Sequence, residues 1–232
     1  MNLPTFQSGM LPVQSRRLAQ TLRREGRPVL TFSLTLPHLT GDTRAERRIE
    51  RYYAHLAECW RRHWTGLLFR RACAAETAAR TAETGFAPWE GEVTYTVALQ
   101  RRTLLSLIWE ARERQDGRDI RRRYGDTWDL SNGIPLSLHA LSPGVPHWRT
   151  SLLEEVSQQI QAQSAAGASF YPLRPGLLRK AFCPECFALT PEGVSLWFPP
   201  GSIAPEAAGS PVFTVPCSLP GIEDTAPSAE NS

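Results

Sequence analysis

Lysine is almost absent from this chain of 232 residues, in which Lys180 is the only lysine among 26 basic residues. An excess of arginine over lysine in the whole chain is more typical of a genomic base composition than of selection for phosphate binding. The basic residues are concentrated in residues 1–123, with 22 arginines against 13 acidic residues, whereas residues 124–232 carry 4 basic and 10 acidic residues. Because arginine runs on a helix usually form its solvated face, we predict no nucleic-acid partner.

Long apolar runs are also missing, since the longest covers about six residues around Leu104 to Trp109. A membrane-spanning helix needs about 20 apolar residues, and a signal peptide needs an apolar core of about 7 to 15. The five cysteines are an odd number, which excludes a complete disulfide framework. These features predict no membrane span, reduced thiols and a cytoplasmic location.

Four catalytic signatures are missing as well: the GxSxG elbow, the Walker phosphate loop, GxGxxG and HExxH. Their absence argues against the common serine hydrolases, nucleotide hydrolases, dinucleotide-dependent oxidoreductases and zinc proteases. We therefore favour a protein that is not an enzyme, and we predict no cofactor.

Apolar alternation indicates four strands in the first 130 residues. The first covers residues 29–36 and is expected to end at Pro37. Two more lie within residues 92–115, joined by a turn at Arg101-Arg102, and another runs from Ile120 to Leu130. The linkers between these last three strands are too short for parallel crossovers, so they should form an antiparallel meander.

A long helix is predicted between the first and second strands. Thr43 and Glu46 have the spacing of a capping box, which marks its start. Continued to Glu83, this helix would cover about 40 residues and about 60 Å, which is long for a domain of this size. We therefore expect a bend near Gly66 or fraying in the alanine-rich stretch.

A second, shorter helix is predicted around residues 152–160. Thr150 or Ser151 is its expected N-terminal cap, and it should end by Gly167. The predicted fold class is accordingly α+β, with an antiparallel sheet covered by one long N-terminal helix and this shorter second helix.

The block from Phe187 to Phe213 is the most informative part of the sequence. Two alternating stretches flank Thr190-Pro191-Glu192-Gly193, which has the composition of a four-residue turn, so the block predicts a hairpin. Pro199-Pro200 should end the second strand, and Val212–Val215 should form a last short strand.

The segment LTPEGVSLWFPPGSIAPEAAGSPVF within this block resembles the C-terminal signature of the RsiV-like family, which is also known as domain of unknown function 3298. Residues 36–39, 45–53 and 125–130 carry further pieces of the resemblance, which covers about residues 28–216. The chain departs from the family at Gly201 and Glu206, where relatives usually carry tyrosines. If those tyrosines make binding contacts in relatives, this chain lacks them.

The resemblance implies a recognition domain and supplies no catalytic residues. Its best understood relatives are lysozyme-sensing domains of anti-sigma factors and non-catalytic modules of cell-wall deacetylases. We predict a basic extension over residues 1–27, an RsiV-like α+β domain over 28–216 and a disordered tail over 217–232.

Aromatic and acidic residues provide the first candidate site residues. Trp89 and Trp148 each lie next to a proline-containing loop, so they are our candidates for an exposed binding platform. Asp126 and Asp129 are a disfavoured acid and base pair, because an aspartate beside glycine and threonine usually caps a turn.

Metal-ligating residues provide weaker candidates. Cys183 and Cys186 have the spacing of a metal or redox pair, but no second pair of cysteines and no close pair of histidines completes a site, so we predict no metal. His55, Cys59 and His63 recur every four residues along one helix edge, which more often marks the boundary of a core.

The sequence as a whole favours a non-enzymatic recognition or sensing domain that binds a protein or a cell-wall-derived ligand. Lysozyme itself is disfavoured as the partner, because a basic protein would be repelled by the basic half of the chain. Two alternatives stay open: a hydrolase that acts on peptidoglycan fragments, and a structural or assembly protein that dimerises through a sheet edge.

Overall fold

The computed structural model describes residues 13–141 and 146–216. The chain divides into two compact units between Pro135 and Leu136. The predicted domain boundaries at residues 28 and 216 do not coincide with this division, and a single domain over 28–216 stays a prediction. The tail predicted over residues 217–232 lies outside the described residues.

Unit 1 is built on a sheet of six strands, whose spatial order is the same as their order in the chain. The strands are β1 Val13–Arg24, β2 Arg27–Leu39, β3 Trp89–Gln100, β4 Leu104–Gln115, β5 Arg118–Asp129 and β6 Ile134–Pro135. Strands β3, β4 and β5 form the predicted antiparallel meander, which is confirmed.

The sheet is not antiparallel throughout, because β2 and β3 pair in parallel over residues 30–34. The predicted antiparallel sheet therefore contains one parallel pair among the described strands. Parallel neighbours need a long crossover, and the long helix between β2 and β3 provides it. The α+β class itself is confirmed, since every other strand pair in the described residues is antiparallel.

The segment that we predicted as a basic extension contains a strand. Residues 13–24 form β1, which pairs antiparallel with β2 through a tight turn at Glu25-Gly26. Both turn residues have positive φ, 49° at Glu25 and 79° at Gly26, as hairpin turns with the twist of a sheet require. Pro37 lies within β2 rather than at its end, beyond the stretch that pairs with β3.

The long helix consists of α1, Arg44–His63, a π-helical turn, Trp64–Leu68, and α2, Phe69–Thr81. The capping box is confirmed: the Thr43 hydroxyl accepts from the Glu46 backbone N–H at 3.2 Å, and Glu46 Oε2 accepts from the Thr43 N–H at 2.9 Å. The π-helical turn contains Gly66, and the bend that we expected there stays a prediction.

The core of unit 1 lies between the long helix and one face of the sheet. Trp64 is fully buried, and its ring centroid lies 5.1 Å from that of Phe32 on β2. Trp64 also lies directly over Gly91 on β3, where a Cβ atom would approach its Cε2 to 2.7 Å. The absence of a side chain at Gly91 therefore makes room for the indole.

Unit 2 pairs two helices with a separate antiparallel sheet, β7-β8-β9. Its elements are α3 Trp148–Ala165, α4 Leu177–Ala181, β7 Phe187–Thr190, β8 Gly193–Trp197 and β9 Val212–Val215. The predicted hairpin and the last short strand are confirmed. Helix α3 is fixed to β9 where Gln159 Nε2 donates to the Thr214 carbonyl oxygen at 2.8 Å.

Helix α3 starts earlier than predicted. Its cap is His147, with φ of 57° and no side-chain hydrogen bond to the helix, rather than Thr150 or Ser151. The backbone N–H of Thr150 already donates to the His147 carbonyl at 2.8 Å, so Thr150 lies within the first turn. The helix ends before Gly167, as expected.

None of the helices in the described stretches is both long enough and apolar enough to cross a membrane.

Replacing Gly91 by alanine should lower the free energy of unfolding by about 1 to 3 kcal/mol, because the new Cβ would overlap the buried Trp64 indole. Gly85→Ala is the matched control, since nothing lies within 4 Å of a Cβ at that position. Urea denaturation of both variants measures the difference. Equal stability of the two variants would contradict the close approach of Trp64 to β3.

Candidate functional site

The carboxylate of Asp126, on β5, is enclosed by aromatic side chains from α1 and β4. Its Oδ2 accepts from the Trp109 indole N–H at 2.9 Å and from the Tyr53 hydroxyl at 3.3 Å, and its Oδ1 accepts from the Tyr52 hydroxyl at 3.4 Å. The Trp128 indole N–H in turn donates to the Tyr53 hydroxyl oxygen at 2.6 Å. One carboxylate therefore anchors a connected network of four aromatic residues.

Strand and helix geometry place these residues together. Tyr124, Asp126 and Trp128 alternate along β5, so they lie on one face of the sheet. Trp109 is opposite Tyr124 in the register of β4 and β5 and lies on the same face. The tyrosines of α1 reach this face because the helix packs over it.

Burial raises the pKa of Asp126 above its usual range, although the hydrogen bonds from Trp109, Tyr53 and Tyr52 act in the opposite direction. Burial, followed by the charge of Asp126, raises the pKa of Tyr52 to about 12. The same two causes raise the pKa of Tyr53 well above its usual value. Both tyrosines therefore stay protonated at neutral pH and act as donors to the carboxylate.

Two tyrosines at this position are exposed. Tyr52 is 41% exposed and Tyr124 is 45% exposed, whereas Tyr53 is 1% exposed. We call the surface formed by Tyr52, Tyr124 and Asp126 the tyrosine–aspartate surface. It combines two accessible aromatic side chains with a carboxylate that is held in place by hydrogen bonds from Tyr53 and Trp109.

Asp129 does not join Asp126 at this surface. Its carboxylate accepts from the backbone N–H and the hydroxyl of Ser131, at 2.8 and 2.6 Å, and from the side-chain amide of Asn132. Residues three apart on a strand face opposite sides of the sheet. Asp129 therefore caps its own turn, and the structure does not bring the two aspartates together.

Trp89 is 3% exposed and lies in the core of unit 1. Its indole N–H donates to Asp116 Oδ1 at 3.0 Å, and the Arg71 guanidinium carbon lies 5.6 Å from its ring centroid. An exposed platform at this position would need an accessible ring, and the Trp89 ring is buried.

Trp148 is half-buried at the first position of α3. Its ring centroid lies 6.2 Å from that of His139 and 6.5 Å from that of Phe182, so it belongs to an aromatic cluster of unit 2. Trp148 as a binding residue stays a prediction.

Cys183 and Cys186 lie on one turn, in which the Cys186 N–H donates to the Cys183 carbonyl at 3.0 Å. The Cys183 thiol donates to Glu185 Oε2 at 3.3 Å. Burial, and then its hydrogen bond with Cys183, raises the pKa of Cys186 to about 12, so that this thiol is protonated at neutral pH.

The helix edge with His55, Cys59 and His63 does not converge on one point. Cys59 Sγ lies 3.5 Å from His55 Nε2, but His63 Nε2 lies 2.9 Å from Oε1 of the buried Glu113 instead. Among residues 13–141 and 146–216, no three histidine, cysteine or acidic side chains come close enough together to hold a metal ion.

The network around Asp126 was not predicted from the sequence, although Asp126 itself was named. A signal for it was present, because Tyr52-Tyr53 on the predicted helix and Trp109 and Trp128 on the predicted strands point to one face. Aromatic residues with polar tips need hydrogen-bond partners when buried, and an aspartate of the same strand is such a partner.

A family comparison matches residues 143–218 to the family described as "Protein of unknown function (DUF3298)". This segment carries a DUF3298 match. The predicted resemblance to this domain family is thereby confirmed, and it includes the hairpin block of unit 2. No curated protein matches the chain.

Solved structures extend the likeness to the rest of the fold. A DUF3298 family member from Bacteroides fragilis has a TM-score of 0.65 at 16% identity, covering 90% of this chain and 91% of its own. A DUF3298 family protein from Pseudomonas aeruginosa has a TM-score of 0.56 at 16% identity, covering 89% and 90%. At this identity, the likeness shows the fold alone.

The raised pKa of Asp126 predicts a pH-dependent contribution to stability. This contribution is complete below the unfolded value, near 3.8, and is lost as the pH rises through the higher folded value. The difference in unfolding free energy between the wild type and Asp126→Asn should therefore decrease as the pH rises from about 3 through the raised folded-state pKa. Urea denaturation at several pH values measures it.

Asp119→Asn is the matched control on the same strand. Hydrogen bonds from Arg112 and Arg121 hold the pKa of Asp119 below its usual range, so its contribution should increase with pH instead. The same sign for both aspartates would contradict the burial of Asp126.

Proposed function

We propose that this chain is a non-enzymatic recognition module that binds a protein or a cell-wall-derived ligand through the tyrosine–aspartate surface. The observation that carries the proposal is the position of two exposed tyrosines beside a preorganised, half-buried carboxylate. Surfaces with tyrosine at the centre and a fixed polar group commonly carry binding energy.

The carboxylate retains capacity for a ligand. Among the residues that the structure describes, Oδ2 has two donors, of which Trp109 is at 2.9 Å, whereas Oδ1 has the Tyr52 hydroxyl alone, at 3.4 Å. That distance is longer than a usual O–H···O hydrogen bond of about 2.7 to 2.8 Å. A sugar hydroxyl or an ammonium group therefore has an acceptor at Oδ1, beside the exposed side chains of Tyr52 and Tyr124.

A paired-carboxylate hydrolase finds no support in this geometry. Hydrolysis of a glycosidic bond by two carboxylates needs them on either side of one cleft. Asp129 is engaged in its own turn, and its position three residues from Asp126 directs it to the other side of β5. We therefore assign binding rather than turnover to Asp126.

Assembly through a sheet edge is the remaining alternative. Strand β1 is a 12-residue edge that pairs, within the described residues, with β2 alone. Its arginines oppose pairing with a second copy, because like charges opposite each other destabilise a ladder. These residues are Arg16, Arg17, Arg23 and Arg24.

Light scattering of the full chain after size exclusion should therefore give a mass near 25.9 kDa, that of a single copy. A dimer at micromolar concentration would favour the assembly alternative over a solitary recognition module.

Soluble muropeptides are the direct probe of the proposed surface. Lysozyme is the second probe, and we expect the chain to bind lysozyme more weakly than it binds muropeptides. Tyr52→Ala combined with Tyr124→Ala should weaken muropeptide binding by about tenfold or more, because it removes both exposed aromatic contacts. Titration calorimetry measures the affinity, and mass spectrometry of the recovered muropeptides measures cleavage.

Tyr171→Ala is the matched control, since Tyr171 is 40% exposed and lies in unit 2. It should leave the affinity unchanged. Equal binding by the double variant, or cleavage of the muropeptides, would refute recognition through this surface.

A further inference from the structure

The basic residues of unit 2 are concentrated at one place. Residues 136–232 contain four basic residues, Arg149, Arg174, Arg179 and Lys180, against eight acidic ones. Three of the four, Arg149, Arg174 and Arg179, line a single groove of about 770 Å³ between α3 and the segment that leads into α4. A local positive site thus lies in a unit of negative net charge.

The arginines of this groove are held by the fold. The Arg149 guanidinium stacks on Phe182, 4.7 Å from the ring centroid, and its Nη2 donates to the Arg179 carbonyl at 3.0 Å. A turn displays Arg174, whose N–H donates to the Pro172 carbonyl at 2.8 Å, and Gly176 continues this turn with φ of 83°. The loss of side-chain entropy on binding is therefore reduced at Arg149.

Their charges are not neutralised within the described residues, where none of the three arginines makes an ion pair with an acidic side chain. The arginines of unit 1 behave differently, as Arg112 and Arg121 both bind Asp119. A guanidinium has five N–H donors in a planar fork that fits a carboxylate, and Arg149 uses one of them on Arg179.

Other groups that line the groove narrow the ligand chemistry. Glu154 lies in the same groove and would accept from an amino or amide N–H group of a ligand. Leu153, Leu173 and Leu178 are half-buried there and provide an apolar floor. A volume of this size holds a short peptide.

We infer that this groove binds a short acidic peptide, with carboxylates on the arginines, an N–H group on Glu154 and an apolar side chain on the leucines. Nucleic acid fits less well, because a long polyanion would meet Glu154 inside the groove and the acidic remainder of the unit outside it. This site is separate from the tyrosine–aspartate surface, which belongs to unit 1.

The test uses a fluorescein-labelled hexapeptide, Gly-Ser-Glu-Leu-Glu-Leu with a free C-terminal carboxylate, and fluorescence anisotropy with the full chain. We expect saturable binding that weakens with added salt. Arg174→Gln combined with Arg179→Gln should weaken it by about tenfold or more, because two charge-assisted contacts are lost. The corresponding lysine variant should recover part of the affinity, since it keeps the charge but loses the planar fork.

The controls distinguish binding of the peptide in the groove from general attraction of an acidic peptide to arginines elsewhere on the chain. Arg16→Gln combined with Arg17→Gln, on the exposed β1, should leave binding unchanged. So should Tyr52→Ala combined with Tyr124→Ala, which makes failure of this site distinguishable from failure of the surface in unit 1. The peptide Gly-Ser-Gln-Leu-Gln-Leu with an amidated C-terminus should not bind.

Three outcomes would overturn the inference: no binding of the acidic peptide at millimolar concentration, equal binding by the glutamine double variant with an unchanged melting temperature, or tighter binding of inorganic phosphate or a single-stranded oligonucleotide. The last outcome would assign the groove to phosphate instead of carboxylate.

Discussion

The position of the long helix on the sheet of unit 1 depends on two carboxylates of the sheet. Asp126 on β5 binds tyrosine hydroxyls near the middle of α1, and Glu113 on β4 accepts the Trp64 indole N–H at 2.9 Å, where the π-helical turn begins. The spacing of the two contacts along the helix agrees with their spacing along the sheet. The 11 residues of helix from Tyr53 to Trp64 cover about 17 Å, and the six residues of strand that separate the level of Asp126 from Glu113 cover about 20 Å. Together the two contacts set where the helix lies along the sheet and which way its aromatic face turns.

These contacts also explain why polar groups are tolerated in the core. Glu113 is 4% exposed and has Trp64 Nε1, Gln115 Nε2 and His63 Nε2 within 2.9 Å. A buried carboxylate without such partners would cost several kcal/mol. The aromatic residues therefore combine apolar area with the donors that the carboxylates require.

The features of the fold that could be predicted from sequence alone are those that depend on local patterns. The capping box at Thr43, the β3-β4-β5 meander and the hairpin at Pro191 each depend on residues close together in the chain, and each is confirmed. Strand β1 was not predicted, because it is an edge strand rich in arginine and glutamine, with little apolar alternation. The parallel pairing of β2 with β3 depends on how the long crossover returns, which no local pattern specifies.

For the candidate sites too, residues that lie close together in the chain could be predicted from sequence, whereas residues brought together by packing could not. Asp126 was named from its neighbours, but its partners Trp109 on β4 and Tyr53 on α1 lie 17 and 73 residues away in the chain. Exposure of Trp89 was expected from its adjacent proline, yet the indole fills the core because β3 begins at that residue. The arginine groove gave no sequence motif, since its three arginines are brought together only by the packing of α3 with the segment before α4.

The two proposed sites differ in their chemistry. In unit 1, a carboxylate supported by aromatic residues presents an acceptor beside tyrosines, which suits hydroxyl or ammonium groups. In unit 2, guanidinium groups present donors above leucines, which suits carboxylates. A ligand that carries both sugar and peptide parts would offer groups that suit each of the two proposed sites.

The π-helical turn at Gly66 determines which side of α2 faces the sheet. A wide turn of this kind accommodates one residue more than α-helical geometry, and one residue corresponds to a rotation of about 100°. Ala72 and Glu76 on α2, which are 0% and 7% exposed, face the sheet only with that extra residue in place. Deleting Gly66 would leave a more regular helix whose second half was rotated by about 100°, so that its buried side no longer faced the sheet directly, and local regularity and correct packing are therefore in conflict at this point of the chain.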